Sequence, residues 1–169
     1  IQVGTAFSLC EESAMAGELK VKVLRQVLNK DSRVFTSPAI SPTGFPFKVA
    51  IIEGTVSDPG VYQTRPRICD LGFLRSICKD DNGAINYRCS AEPVDDYIRK
   101  GGKREDTVGR TCLCNNLVAT AGYPQQRAGS YSEPPLVTSG DDLPTIRELI
   151  RPDRMNYSAE DVVNYLLSA

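Results

Sequence analysis

IQVGTAFSLCEESAMAGELKVKVLRQVLNK, residues 1–30, is the stretch whose reading decides the fold. Ile1-Gln2-Val3 reads as the end of a buried strand, and Gly4-Thr5 is the punctuation after it. Over residues 10–29, Ala14, Met15, Leu19, Val23, Leu24, Val27 and Leu28 recur at three- and four-residue spacing, which predicts an amphipathic helix. Glu11 and Glu12 sit at its start, while Lys20, Lys22, Arg25 and Lys30 crowd toward its end, as the helix dipole favours. Glu18 and Lys22 form an i,i+4 pair in the better order. A glycine between strand and helix lets backbone N–H groups approach an anion, and the helix N-terminus adds a favourable dipole. Taken alone, the pattern is also that of an ordinary strand-to-helix turn.

The rest of the chain sets bounds. Its 169 residues suit one domain, or one and a fragment of another, and 41% apolar with 24% charged residues is ordinary for a globular chain. A net charge of -1 argues against a nucleic-acid or membrane-surface protein. With no His, the chain alone builds no Ser-His-Asp triad, Cys-His dyad, HExxH zinc site or His-ligated iron. Ile1 stands where Met would open a complete chain, no charged segment precedes the first apolar residues, and a fragment is expected rather than a signal peptide. No apolar stretch approaches the roughly 20 residues that span a bilayer.

Downstream, residues 31–47 read as loop because of Pro38, Pro42, Gly44 and Pro46. Phe47 to Ile52 is a short strand or a helical turn. Ser57-Asp58-Pro59-Gly60 and Asp80-Asp81-Asn82-Gly83 are turns. Helices are expected at 93–100, 107–121, 142–150 and 159–167, the last opened by a capping-box-like Ser158 and Asp161. Residues 122–135 read as a polar loop.

Three constellations bear on chemistry. Cys10, Cys69, Cys78, Cys89, Cys112 and Cys114 lack the paired CxxC spacing of a zinc ribbon, so free thiols are expected. The candidate metal set, not the favoured reading, is Cys112 and Cys114 of the CxC with Cys69 and Cys89 completing it. Disulfides are the third option. Arg99-Lys100-Gly101-Gly102-Lys103-Arg104 carries four cations around two glycines and suits a phosphate or, more simply, a solvated turn. Asp95-Asp96 and Asp141-Asp142 are adjacent, which does not bring carboxylates face to face on a helix.

The opening run Ile1 to Phe7, with Glu11-Glu12-Ser13, resembles the eighth strand and phosphate loop of the nitronate monooxygenase (2-nitropropane dioxygenase) family. SPTGFPFKVA (41–50), RPRICDLGFLR (65–75), YRCSAEPVDDYIRKGGK (87–103), GRTCLCNNL (109–117) and LVTSGDDL (136–143) resemble, in that order, the C-terminal half of a longer bacterial subgroup of it. The resemblance implies a cytoplasmic parent with an FMN-binding (β/α)8 barrel, acting on a small-molecule nitronate with dioxygen. Enoyl or quinone reduction with NAD(P)H on the same barrel is the alternative. A Cys-rich, metal-stabilised interaction domain is a third reading. On the family reading, residues 1–56 are the last strand–helix unit and following loop of the barrel, and residues 57–169 are an appended, mostly helical, loop-rich lobe. Gln2, Gly4 and Thr5 match the segment beside the FMN phosphate. The catalytic His is expected in a preceding barrel portion, so this chain carries no catalytic residue and is expected to be inactive alone.

Overall fold

Leu19, Val23, Leu24 and Val27 form one buried stripe on α2 (Gly17–Asn29), which is the apolar spacing of the sequence made physical. The helix begins seven residues later than the periodicity suggests. Residues 10–16 form a tight turn instead, held by the Lys20 ammonium, which donates to the carbonyls of Cys10, Glu11 and Ser13 at 2.8–2.9 Å. Ahead of that turn lies a separate short helix, α1 (Thr5–Leu9), with Gly4 at its N-cap. The computed structural model describes residues 3–151 and 153–168, so the expected strand at Ile1-Gln2-Val3 falls mostly outside the described residues, and Val3 itself is not in a strand.

The ambiguous apolar run becomes β2 (Phe47–Ala50), paired antiparallel with β1 (Val34–Ser37), Val34 opposite Ala50. The turn at Ser57–Gly60 starts α3 (Pro59–Thr64): the Asp58 carboxylate accepts from the Gly60 N–H at 2.9 Å, and Pro59 fills the first turn, where a missing N–H costs nothing. Asp80–Gly83 joins β3 (Ser76–Lys79) to β4 (Ile85–Arg88); Asp80 accepts from the Asn82 and Ala84 N–H groups at 3.0 and 2.9 Å. There follow α4 (Val94–Arg99), a 3-10 turn at Arg104–Thr107, and α5 (Leu113–Thr120), so the single helix expected over 107–121 is shorter and broken. The polar loop contains a minimal hairpin, β5 (Gln126–Arg127) with β6 (Tyr131–Ser132). The helix expected at 142–150 is 3-10 over Leu143–Glu148, and α6 (Ala159–Ser168) closes the chain.

The described residues thus form a small mixed α/β structure whose sheets are three two-stranded antiparallel pairs. Residues 57–168, expected to be mostly helical, hold two of those pairs. β2 divides the interior. Ala50 joins a core built on α1, α2 and the C-terminal residues Val137, Leu143, Ile146, Tyr157 and Val162. Val49, its neighbour on the other face, joins a second core with Val56, Leu113 and Leu136. The first core therefore takes side chains from both sides of the 56–57 boundary. Tyr157, fully buried, donates to the Ala6 carbonyl at 2.7 Å and ties the two ends of the chain together.

Candidate functional site

The start of α1 opens onto a cleft of about 800 Å³ between the β1–β2 hairpin and the segment 138–142. Gly4 and Thr5, two of the residues expected beside a phosphate, both line it; Gln2, the third, lies outside the described residues. Gly4 has φ −106°, and a Cβ placed there would meet nothing within 4 Å. Backbone conformation therefore does not demand glycine at this position. Its effect is to leave the first turn of α1 bare, where the leading N–H groups of a helix have no intrahelical acceptor.

Thr5 is more committed. Its hydroxyl donates to Asp142 Oδ1 at 2.7 Å and accepts from the Gly140 N–H at 3.0 Å. A Cβ on Gly140 would lie 2.2 Å from Asp142 Oδ1 and 3.0 Å from Thr5 Oγ1, so the contact exists only because residue 140 is glycine. The cation of the cleft is Lys48, whose ammonium pairs with Asp141 and donates to Thr36 Oγ1 at 3.1 Å. Adjacent carboxylates at 141 and 142 thus serve two different partners. Phe45 and Phe47 supply an aromatic edge. A phosphate needs N–H donors and positive charge. The cleft offers a bare helix start, one cation already paired and a carboxylate close by, so it fits one side of an FMN phosphate site and not a whole one.

The cysteines form a second locus, assembled over long range. Arg67 donates to the carbonyls of Glu92, Thr107 and Ser90 at 3.1, 3.0 and 2.6 Å, knitting three segments together. Asp70 accepts from Asn115 Nδ2 at 2.9 Å, which lays the Cys69 segment against the start of α5. Cys112, the N-cap residue of α5, is buried there. The Cys112 thiol, and then the Arg75 guanidinium, hold the Cys69 thiol down at about 6, while Cys69 and then burial push Cys112 up. Burial raises the Cys89 thiol nearby. Cys114 lines a separate apolar groove with Phe73 and Leu117. The four candidate ligands thus lie near enough to shift one another's thiols, Cys69 and Cys112 most strongly. Among the described residues no group of three or more His, Cys, Asp or Glu is arranged to hold a metal ion. All six thiols are free.

The basic run at 99–104 is a structural turn. Lys100 pairs with Glu92 at 2.8 Å, the two side chains 19% and 2% exposed, and Arg99 and Arg104 pair with Asp96 and Asp95. A Cβ on Gly102 would sit 2.3 Å from the Tyr97 ring, so backbone packs on an aromatic face where a phosphate cradle was conceivable. Sequence reasoning missed the buried polar set of Asn116 and Glu133. Asn116 Nδ2 donates to Glu133 Oε1 at 2.9 Å and to the Pro134 carbonyl at 2.8 Å, Tyr131 donates to Glu133 Oε2 at 3.1 Å, and burial raises the Glu133 carboxyl. The one available signal was Asn115-Asn116 inside a helix, where asparagine is a poor helix former.

No protein-family model, curated protein or solved structure significantly matches the chain. Among the described residues no helix is long and apolar enough to cross a membrane.

Proposed function

We propose that this chain is the C-terminal part of an FMN-dependent, nitronate-monooxygenase-like oxidoreductase, and that Gly4 and Thr5 border the flavin phosphate. What supports the reading is the opening of α1, at the residues where the sequence resemblance puts the phosphate loop, onto a cleft of about 800 Å³. Bound FMN would supply the two-electron chemistry by which a nitronate is oxidised with dioxygen. The chain's own part is narrower. The bare first turn of α1 offers N–H groups to an anion. Asp142 and Gly140 fix the Thr5 hydroxyl, and with it the first turn of the helix. Phe45 and Phe47 keep one edge of the cleft apolar. With no His in the sequence, a histidine base comes from outside this chain. The same reading assigns the enzyme to the cytoplasm, with a small-molecule nitronate and dioxygen as its partners and neither nucleic acid nor membrane.

The test is Gly4→Val in the full-length enzyme, read by flavin fluorescence. A Cβ at Gly4 meets no atom within 4 Å, so the variant is expected to stay folded by circular dichroism. FMN affinity falls at least tenfold, because the side chain occupies the phosphate's approach to the backbone. Unchanged affinity would put the phosphate elsewhere. The chain purified alone with excess FMN and then desalted is expected to be colourless; near-stoichiometric flavin would overturn the one-sided site.

A further inference from the structure

We propose that the apolar groove beside α5 is a subsite for a long alkyl chain carried by the substrate, whose reacting end lies in the cleft. The proposal rests on the flavin reading of that cleft and narrows its substrate class. Phe45 and Phe47 carry it, because both line the cleft and both line the groove. A molecule bound in the cleft therefore reaches the groove across two aromatic side chains. The groove holds about 430 Å³, within the roughly 300–1,000 Å³ of small-molecule pockets.

The lining decides what the groove takes. Leu113 belongs to the second core, and Phe47 and Leu74 pack against that core, so the floor is fixed. Leu113 and Leu117 stand one turn apart on α5 and face the same way. Phe45 and Phe73, 68% and 73% exposed, form the rim, and large apolar side chains left exposed together mark a binding groove. No lining residue is charged. The two hydroxyls present, Ser41 and Thr43, are bonded to each other at 2.8 Å. A polar ligand group would lose its water here for little return, whereas a saturated chain gains from every carbon it buries. Ten residues line the groove, against the roughly 20–30 a side of a stable protein interface, so its occupant is a small molecule and not a second chain. Each methylene laid in it is worth about a fourfold gain in affinity. The groove thereby selects substrates by chain length, at a distance from the reacting group.

The experiment has two arms. In the first, straight-chain primary alcohols from butanol to octanol are titrated calorimetrically into the chain, which needs no flavin. The expected affinity rises about fourfold per methylene, and Leu117→Gln flattens the rise. Phe73→Ser, at the rim, does the same and stands in if the first variant fails to fold. In the second arm, KM of the full-length enzyme falls with each carbon added from propyl to octyl nitronate, and Leu117→Gln removes the trend. Alcohols that bind no better with length, or a rise that both variants leave intact, would overturn the groove while leaving the flavin test at Gly4 untouched. Alcohol binding as expected beside a flat nitronate series would overturn the assignment to the substrate chain. A full-length protein that holds no FMN would refute the flavin reading and, with it, that assignment.

Discussion

At the scale of single residues, two glycines separate crowding from strain. Gly102 lies against the Tyr97 ring, three of whose carbons would be 2.3–2.8 Å from an added Cβ. Gly83 has open space, but its φ of +80° lies in the left-handed region. Gly102→Ala forces the ring or the backbone to move and is expected to cost about 1–3 kcal/mol. Gly83→Ala meets no atom and is expected to cost about 1–2 kcal/mol through its backbone angles alone. Urea denaturation reads both. The two differ in near-ultraviolet circular dichroism, where Gly102→Ala alone perturbs the tyrosine signal; an unperturbed spectrum would mean that Tyr97 does not pack as described. A thiol such as Cys69 is likewise defined by neighbours rather than by its own sequence. Arg75 is six residues away and Cys112 over forty, and no spacing rule joins them.

Single elements show best what local sequence carries. The Ser158–Asp161 capping box forms as the spacing suggests: the Asp161 carboxylate accepts from the Ser158 N–H at 2.9 Å, and the Ser158 hydroxyl accepts from the Asp161 N–H at 3.1 Å. Arg151 adds an ion pair at 2.6 Å. The Ser158 backbone N–H, then Arg151, hold the Asp161 carboxyl at about 2, below its ordinary 3.8. An acid depressed on folding stabilises the native state fully above its unfolded value and loses that contribution as pH falls through the native one. Asp161→Asn is therefore expected to lower the melting temperature at pH 7, and the gap to wild type is expected to narrow as pH falls from about 4 toward 2. A pH-independent gap would show that the charge is not what matters. The stripe of α2 was equally legible, since it needs only the 3.6-residue period. Its start was not, because the Lys20 ammonium closes the preceding turn on three carbonyls. The β3–β4 hairpin was legible only as its Asp-Asp-Asn-Gly turn; its strands expose Ile77 and Ile85 and carry no buried alternation. Of the candidate site, Gln2, Gly4 and Thr5 could be named from the family resemblance, but Asp142, the partner of Thr5 across 137 residues, could not.

Over the whole molecule, the first core is closed by its last segment. Val137, Leu143, Ile146, Tyr157 and Val162 complete the cover over α1 and α2. Burying each such large side chain contributes about 1.5–3 kcal/mol, against a total margin of about 5–15 kcal/mol for a domain. A chain ending at Pro135 is therefore expected to lose its cooperative thermal transition and to become sensitive to protease throughout α1 and α2. A truncated chain that still melts cooperatively would show that the two helices are covered by something nearer in sequence.

That closure also sets a timetable for synthesis. The apolar stripe of α2 leaves the ribosome more than a hundred residues before Val137, the first of the side chains that will cover it from the other end. At elongation rates of about 5–20 residues per second the wait is on the order of 10 s. Through that interval Leu19, Val23, Leu24 and Val27 form an exposed sticky face on a nascent chain. Codon choice and holdase chaperones acting over the stretch between α2 and Val137 therefore bear on how much of this protein reaches its native state.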